Sequence, residues 1–356
     1  MSLPYLHPYL GLSNGLNTLH AGGAAAAGGW VELGRTTLGS AGDTITVSSL
    51  ADKRYYMILA DILNDGTNNI GGETRLGNSS VDTGSNYATR SSTNGGADGT
   101  GTSATQIDGF NSTTTEGEQF HVGYLANLSG NEKLMIEHEV VRGIAGASNA
   151  PYRRELVGKW ANTSNPLDII QKYNSLTGSF NTNSELVVLG WDPADSHTNN
   201  FWEELYSGGT GASASSFTTG TITAKKYLWT QFMIKNDTGG NLGLQFNSDG
   251  GNNYAFRYSI NGGADATVAS TLKLQANVTS PTTYSFVNVF IINNSANEKL
   301  VILGEANQGT AGAGNAPNRW EVVGKWANTS NQITSMQIVP NSGNMTLQKW
   351  NVWGSD

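Results

Sequence analysis

Short apolar runs separated by clusters of Gly, Asn and Asp recur from residue 30 to the end of the chain. Residues 155–160 and 321–326 alternate apolar and polar positions, which is typical of strands with one buried face. Residues 55–63 and 227–234 are nearly continuous apolar runs and predict fully buried strands. Further strands are predicted at 44–47, 120–125, 133–141, 221–223, 284–292 and 299–303.

Asp-Gly, Asn-Gly and Gly-Gly pairs separate these runs at a spacing typical of hairpins. No window keeps the helical period over three turns. Roughly eight short strands in each stretch of about 160 residues favour a β-sandwich or jelly roll. The sequence predicts an all-β protein and leaves the strand order open.

An internal repeat is the strongest signal in the sequence. Residues 131–165 align without a gap with residues 297–331, and about two thirds of the positions are identical. Weaker matches extend upstream, where DTGSNYATR at 82–90 answers DGGNNYAFR at 249–257. At the ends of the repeats, 185–191 is aligned with 348–354. The repeat predicts two equivalent jelly-roll-like sandwich domains in tandem.

The predicted domains span residues 30–192 and 201–356, and residues 193–200 join them. Residues 1–29 are predicted to form an extended arm that ends in the Gly/Ala linker GGAAAAGG. The arm could dock on a neighbouring subunit or pack back on its own domain. Its apolar residues, the tentative assembly contacts, are Leu3, Tyr5, Leu6, Tyr9, Leu10 and Leu12.

Composition narrows the classes of function. The net charge is −8 and no basic run occurs, which argues against nucleic acid or an anionic membrane as the main partner. No run of 18 apolar residues predicts a membrane span, and the start of the chain is a poor signal peptide. The chain has no Cys, which excludes disulfides, thiol nucleophiles and Cys-based metal sites.

The order of the turn motifs resembles a domain common in virion proteins of marine bacteriophages and related environmental viruses. The matching segments are 82–87, 246–254, 340–345 and the paired GKWANT segments at 158–163 and 324–329. The first unit departs from the pattern, because LGNSS at 76–80 replaces the Phe-Asn-Gly turn. The resemblance covers both units and not the arm. It implies a structural or attachment role on the particle and identifies no catalytic residue.

Catalytic chemistry has little support in the sequence. None of the five histidines (His7, His20, His121, His138 and His197) lies in the second unit, and no nucleophile elbow occurs. His138 is expected to face away from its neighbours Glu137 and Glu139 on a strand. The duplicated acids could form a glycosidase pair, but surface ion pairs are the simpler account. These acids are Glu132 with Glu298, Glu139 with Glu305, and Glu155 with Glu321.

Two kinds of ligand site remain open. The segments 61–68 and 236–241 are rich in oxygen ligands and could bind Ca²⁺, although neither has EF-hand spacing and both also signal turns; otherwise no cofactor is expected. Glycan binding would use exposed tryptophans. Trp160 and Trp326 are instead expected to anchor the two cores because they share a face with apolar residues. The remaining candidates are Trp191, Trp350 and Trp353.

We therefore expect a non-enzymatic structural protein located in the virion, where it contacts copies of itself and other virion proteins. A shell, decoration, fibre or tail role would use the same sandwich surfaces. The Gly/Ser/Thr-rich stretch 91–105, followed by 108–115, is expected to be a long exposed loop. The alternative is a module that binds host surface glycans, or a polysaccharide depolymerase on a phage tail.

Overall fold

The computed structural model describes residues 29–193, 195–197, 199–278 and 281–356. These residues form strands, turns and loops without any helix, so the predicted all-β sandwich fold is confirmed. A helix suited to crossing a membrane is accordingly not found in this part of the chain.

The N-terminal half (residues 30–192) contains two sheets and a short strand pair. Its strands are β1 (Val31–Thr37), β2 (Thr44–Val47), β3 (Tyr55–Ile62), β4 (Ile70–Gly71), β5 (Glu73–Asn78), β6 (Ser80–Val81), β7 (Tyr87–Thr93), β8 (Gly99–Ala104), β9 (Asn111–Ser112), β10 (Gln119–Ala126), β11 (Lys133–Val141), β12 (Tyr152–Trp160), β13 (Ile169–Tyr173) and β14 (Glu185–Trp191). The large sheet has the order β1-β14-β3-β10-β11-β12-β7-β8, the small sheet β2-β13-β5-β6, and β4 pairs with β9.

The C-terminal half (residues 201–356) repeats this plan. Its strands are β15 (Glu203–Gly208), β16 (Ser213–Ala214), β17 (Phe217–Thr218), β18 (Tyr227–Asn236), β19 (Leu242–Phe246), β20 (Tyr254–Ile260), β21 (Ala266–Thr271), β22 (Leu274–Ala276), β23 (Ser285–Ile292), β24 (Lys299–Asn307), β25 (Asn318–Trp326), β26 (Met336–Pro340) and β27 (Met345–Ser355). Its large sheet has the order β15-β27-β18-β23-β24-β25-β20-β21, with β16 beside β27, and its small sheet β17-β26-β19-β22.

The pairing registers match the two halves residue by residue. Tyr56 lies opposite Gly190 in one half, and Leu228 lies opposite Gly354 in the other. Residues 185–191 therefore correspond to 349–355, and the sequence alignment with 348–354 is wrong by one position. The β-bulge between Met233 and Ile234 changes the spacing along β27, which the sequence alone does not reveal.

Each half buries one core between its large and small sheets. A third core joins the halves, because the outer faces of the two large sheets pack on each other. The molecule is thus a stack of four layers, with the small sheets outermost. Strand β3 shows why its run is continuously apolar: Ile58 faces its own sandwich core, whereas Leu59 faces the C-terminal half.

Two local predictions are wrong. Residues 91–105 do not form a long loop, because β7 and β8 pair as a hairpin across most of this stretch. Residues 221–223 are not a strand; the edge strand of that small sheet is β17, which pairs with β26. Gly, Ser and Thr at the edge of a sheet give weak periodicity, so neither strand is visible in the pattern of apolar residues.

Candidate functional site

A cluster of buried polar side chains lies inside the N-terminal sandwich, between β10, β11 and β13. His121 Nδ1 lies 2.8 Å from Glu137 Oε1, and Lys172 Nζ lies 2.6 Å from the same oxygen. Lys172 Nζ is also 3.0 Å from His121 Nδ1. Glu139 completes the cluster and accepts a hydrogen bond from the Phe110 amide at 2.9 Å. All four side chains are buried.

The hydrogen bonds of Gln119 fix the tautomer of His121. Gln119 Nε2 donates to Ser112 Oγ at 2.8 Å, so Gln119 Oε1 accepts from His121 Nε2 at 2.9 Å. His121 Nδ1 is then the acceptor for Lys172. Burial and the Lys172 charge lower the pKa of His121 to about 4, so the imidazole is neutral at pH 7.

The pKa values of the two carboxyl groups of the cluster are shifted in opposite directions. Burial alone would raise the pKa of Glu137, but the Lys172 charge lowers it to about 2. Burial and the neighbouring Glu137 charge raise the pKa of Glu139 well above its ordinary range. Glu137 is therefore the anion that pairs with Lys172, whereas burial and the Glu137 charge favour the neutral form of Glu139.

Ligand atoms of His121, Glu137 and Glu139 lie within 4.8 Å of one another, a spacing that could hold a metal ion. The Lys172 ammonium, however, already contacts both His121 and Glu137. A metal ion would have to displace this cation from a fully buried position. The arrangement is an internal ion pair with a neutral histidine, closed to solvent, and not an open catalytic centre.

The C-terminal half lacks this cluster. The registers place Val287 at the position of His121, Leu303 at that of Glu137 and Ile338 at that of Lys172. All three are buried in the C-terminal core. The same fold therefore forms with an apolar trio, and the polar trio is a property of the N-terminal half alone.

The prediction that the duplicated acids form surface ion pairs is correct for some of them and wrong for others. Glu132 pairs with Lys159 at 2.9 Å on the surface, as expected. Glu139 and Glu305 are buried, so the prediction that they form surface ion pairs is wrong. Each accepts a loop amide, that of Phe110 or of Asn277. Sequence reasoning missed the His121 cluster, although unlike residues inside a closely matched repeat could have pointed to it.

The remaining duplicated acids lie between the halves. Arg153 contacts Glu155 at 2.5 Å within its own half and Glu321 of the other half at 3.0 Å. Arg153 also pairs with Asp265 at 2.6 Å. His138, which faces away from Glu137 as expected, lines a cavity of about 140 Å³ beside these residues. These charged groups hold the two halves together at one edge of their interface.

Most of the tryptophans considered for glycan binding have no exposed ring. Trp160 and Trp326 are 1% exposed, and their indole N–H groups donate to Asp82 and Asp249, both at 2.7 Å. Trp350 and Trp353 are also buried. Trp191 is half-buried and stacks on Tyr55, with ring centroids 5.6 Å apart.

The two segments considered for calcium use their oxygens internally. Asp61 lies within the buried stretch of β3, where its Oδ2 pairs with Lys226 at 3.1 Å. Asn64 and Asp65 accept amide hydrogen bonds within their own turn, at 2.7 Å and 2.9 Å. In the second segment, Asp237 accepts from Ser213 and Thr346. The turn interpretation accounts for these contacts.

A loop of the N-terminal half clamps the C-terminal half. The β11–β12 loop (142–151) provides the carbonyl groups of Arg142 and Ile144, to which the buried Lys325 ammonium donates at 3.2 Å and 2.6 Å. Glu298, which pairs with Lys325 at 3.2 Å, accepts from the Gly146 amide at 2.5 Å. Arg257 donates to the Pro151 carbonyl at 2.9 Å.

Acidic groups hold the opposite edge of the interface. Asn294 donates to Asp61 at 2.8 Å and to Glu118 at 3.0 Å. Lys226 pairs with Asp61 and with Glu185, both at 3.1 Å. Burial and the adjacent Asp61 raise the pKa of Glu118 well above its ordinary range. The interface is thus charge-matched at its edges and apolar at its centre.

The C-terminal half covers only part of the N-terminal large sheet. We define the leucine face as Tyr55, Leu128, Leu134, Ile136 and Val157, on and beside the outer face of this sheet. Leu134, Ile136 and Val157 are 58%, 52% and 47% exposed. Ile136 and Val157 are direct cross-strand neighbours, so their side chains form one continuous apolar surface.

The arm residues Leu3, Tyr5, Leu6, Tyr9 and Leu10 lie outside the described residues. Trp30, where the described chain enters the first strand, packs on Tyr124 and Trp191 near the leucine face. Its carbonyl accepts from the Phe201 amide at 2.8 Å, which ties the start of one half to the start of the other.

No protein-family model and no curated protein matches the chain. Two solved structures are similar over most of its length. Domains LG4-5 of the mouse laminin alpha1 chain show 10% identity, with 92% of this chain and 90% of that chain covered, at a TM-score of 0.21. An outer membrane channel from Pseudomonas putida F1 shows 11% identity over 78% and 97%, at a TM-score of 0.12. Likenesses this distant carry no functional argument.

Proposed function

We propose that this chain is a non-enzymatic structural subunit that assembles with copies of itself, as a component of a virus particle. The observation that supports the proposal is the leucine face. Leu134, Ile136 and Val157 form an uncovered apolar surface on an otherwise rigid four-layer body. Such a surface marks a contact site for another macromolecule.

The energetics favour a contact made by this surface. Fully burying one Leu, Ile or Val side chain contributes about 1.5–3 kcal/mol. The backbone loses little freedom on docking, because the strands that carry these side chains are already ordered. The virion setting rests on the resemblance of the turn motifs at 82–87 and 246–254 to phage virion domains.

The polar cluster offers less support for catalysis. Glu137 and Lys172 neutralise each other beside the neutral His121 inside the sandwich core, where no substrate reaches them without opening the two sheets. A polar group sealed in this way contributes to packing specificity and to pH response.

The test is the association state of the full-length chain, measured by sedimentation velocity between about 1 and 200 μM and by electron microscopy. Concentration-dependent oligomers or regular particles are expected. A chain that stays monomeric throughout this range contradicts the proposal. Saturable glycan binding that is lost in Trp191→Ala would favour the rival receptor module instead.

A further inference from the structure

The two halves bury different parts of equivalent surfaces. In the C-terminal half, Leu300 and Val323 are 0% and 2% exposed because the N-terminal half covers them. Their counterparts in the N-terminal half are Leu134 and Val157 of the leucine face. The residues that seal the internal interface on one half are therefore present and uncovered on the other.

The opposite end of the sheets shows the reverse relation. Phe120 and Asp61 of the N-terminal half are buried against the C-terminal half. Their counterparts Phe286 and Met233 are 46% and 44% exposed and lie directly opposite each other on β23 and β18. We define the phenylalanine face as Met233, Phe286 and the β24–β25 loop (308–317).

The halves are therefore stacked with an offset, and their relation is not a closed two-fold. A closed two-fold would bury the same residues on both halves. An offset relation leaves one unmatched surface at each end, and such a heterologous contact can be repeated. Here the unmatched surfaces are the leucine face and the phenylalanine face.

We infer that the phenylalanine face of one copy docks on the leucine face of the next, repeating the contact between the halves and linking subunits head to tail. The inference rests on the proposed function, because it names the partner and the geometry of the assembly. It commits the leucine face to a second copy of this chain.

The clamp loop has a matching, unused counterpart. The β24–β25 loop repeats the conformation of the β11–β12 loop: Gly312 has φ 97° where Gly146 has φ 90°. Asn315 donates to the Ala311 carbonyl at 3.0 Å, as Asn149 donates to the Ala145 carbonyl at 3.1 Å. Residues 310–317 are exposed. The loop is preformed, and among the described residues no surface covers residues 310–317 as the C-terminal half covers the β11–β12 loop.

The surface that such a loop requires is present on the N-terminal half. Lys159 and Glu132 are paired at 2.9 Å and half-exposed, at the positions of Lys325 and Glu298. Arg90 and Asp98 lie at the positions of Arg257 and Asp265, and both are largely exposed.

The counterpart of Arg153 is Arg319, which is 60% exposed. Docking would place Arg319 of one copy at Asp98 of the next, as Arg153 lies at Asp265 within the chain. The charged framework of the internal contact is thus available a second time.

Where the framework changes, the two faces change together. In the internal contact, Asn294 donates to Asp61. The equivalent positions on the two outer faces hold Leu128 and Met233, which are both apolar and both exposed. Lys349 lies at the position of Glu185, so docking would bring it near Arg54 of the next copy. The charge of Arg54 is already paired, because its side chain lies 3.6 Å from the Asp192 carboxylate. The substitution of a polar pair by an apolar pair on both sides supports a contact between these surfaces.

Two variants with one damaged face each test the inference in the full-length chain. The first carries Leu134→Asp and Ile136→Lys, and the second carries Met233→Lys and Phe286→Asp. All four positions are exposed, so circular dichroism should show a normal fold. Each variant alone should associate at least about 30-fold more weakly than the unchanged chain. Mixed in equal amounts, they should form a one-to-one dimer, since one intact face remains on each.

A site-specific cross-link gives the register. The chain contains no Cys, so Leu128→Cys and Met233→Cys provide the only thiols for a short bis-maleimide. Placed on separate chains, they should cross-link the two chains. Asp61→Cys with Asn294→Cys in one chain is the positive control, because these side chains touch at 2.8 Å.

The outcomes separate this inference from the proposed function. If both single-face variants assemble like the unchanged chain, or if their mixture yields no dimer, the head-to-tail contact is wrong while self-assembly stands. If the unchanged chain is monomeric at every concentration, self-assembly itself is wrong and the inference with it.

Discussion

At the residue scale, Lys172 determines the charge of the polar cluster. Its ammonium keeps Glu137 ionised in spite of burial, and it adds to the effect of burial that keeps His121 neutral. The C-terminal half fills the same space with Val287, Leu303 and Ile338. The apolar trio of the C-terminal half therefore serves as a reference for how much the buried Glu137–Lys172 ion pair contributes to stability.

Lys172→Ile alone should destabilise the chain by about 3–5 kcal/mol, because it leaves Glu137 as an unpaired buried charge. Combining it with His121→Val and Glu137→Leu should recover that loss, since the trio then matches the C-terminal core. Urea denaturation measures both values. A combined variant as unstable as the single one would contradict the prediction.

The stability of the chain should depend on pH through His121. Its pKa in the folded chain is about 4, below the 6.5 of the unfolded chain. Between these values the unfolded chain binds the extra proton, so the contribution is complete above pH 6.5 and is lost as the pH falls towards 4. The loss should reach about 3 kcal/mol.

The combined variant, with valine at position 121, is the control for this pH effect. Between pH 6.5 and 4.5 its free energy of unfolding should fall less steeply than that of the unchanged chain. Glu137 contributes to the difference only below its ordinary pKa, because its pKa in the folded chain is lowered. Parallel pH profiles would show that His121 is not the responsible group.

At the scale of elements, one tyrosine ties the two sheets of each sandwich together. The Tyr87 hydroxyl on β7 accepts a hydrogen bond from the Leu76 amide at 3.0 Å and donates one to the Leu76 carbonyl. Nearby, the Asp82 carboxylate accepts a hydrogen bond from the Trp160 indole N–H. The C-terminal half repeats the device with Tyr254, whose hydroxyl receives the Phe246 amide at 2.8 Å. The turn before β7 is thereby fixed on the small sheet.

Tyr87→Phe should destabilise the chain by about 1–3 kcal/mol, because it leaves the buried Leu76 amide without its hydrogen-bond partner. Tyr254→Phe should cost a similar amount. Tyr55→Phe, at an exposed position, is the control and should change stability by less than about 0.5 kcal/mol. Thermal denaturation at pH 7 distinguishes these values, and equal effects of all three would contradict the role assigned to Tyr87.

Much of the fold could be predicted from the apolar pattern. The runs at 55–63 and 133–141 became β3 and β11 because burial on one or both faces leaves a clear trace in sequence. The hairpin of β7 and β8 leaves no such trace in the apolar pattern, since its Gly, Ser and Thr side chains bury little surface. The His121 cluster was missed because its members come from three strands whose pairing a sequence does not show.

At the scale of the whole molecule, the third core makes the two halves one mechanical unit. Met57, Leu59 and Phe120 of one half pack against Tyr227, Phe290 and Val323 of the other. The unfolding of either half therefore exposes apolar surface of both. Heat should unfold the chain in a single calorimetric transition.

Val323→Asp should uncouple the halves and split that transition in two, because it places an unpaired charge inside the shared core. Val157→Asp changes the equivalent residue of the leucine face, which is 47% exposed, and should leave the transition single. Differential scanning calorimetry of the two variants compares one substitution in two environments. A single transition in both would mean that the shared core does not couple the halves.

The offset between the two large sheets has a consequence for polarity. A filament of subunits joined by this offset contact would expose Leu134 at one end and Phe286 at the other, so its two ends would be chemically distinct. A capping protein suited to one end would halt elongation there and leave the other free to grow. Length could then be controlled from a single direction.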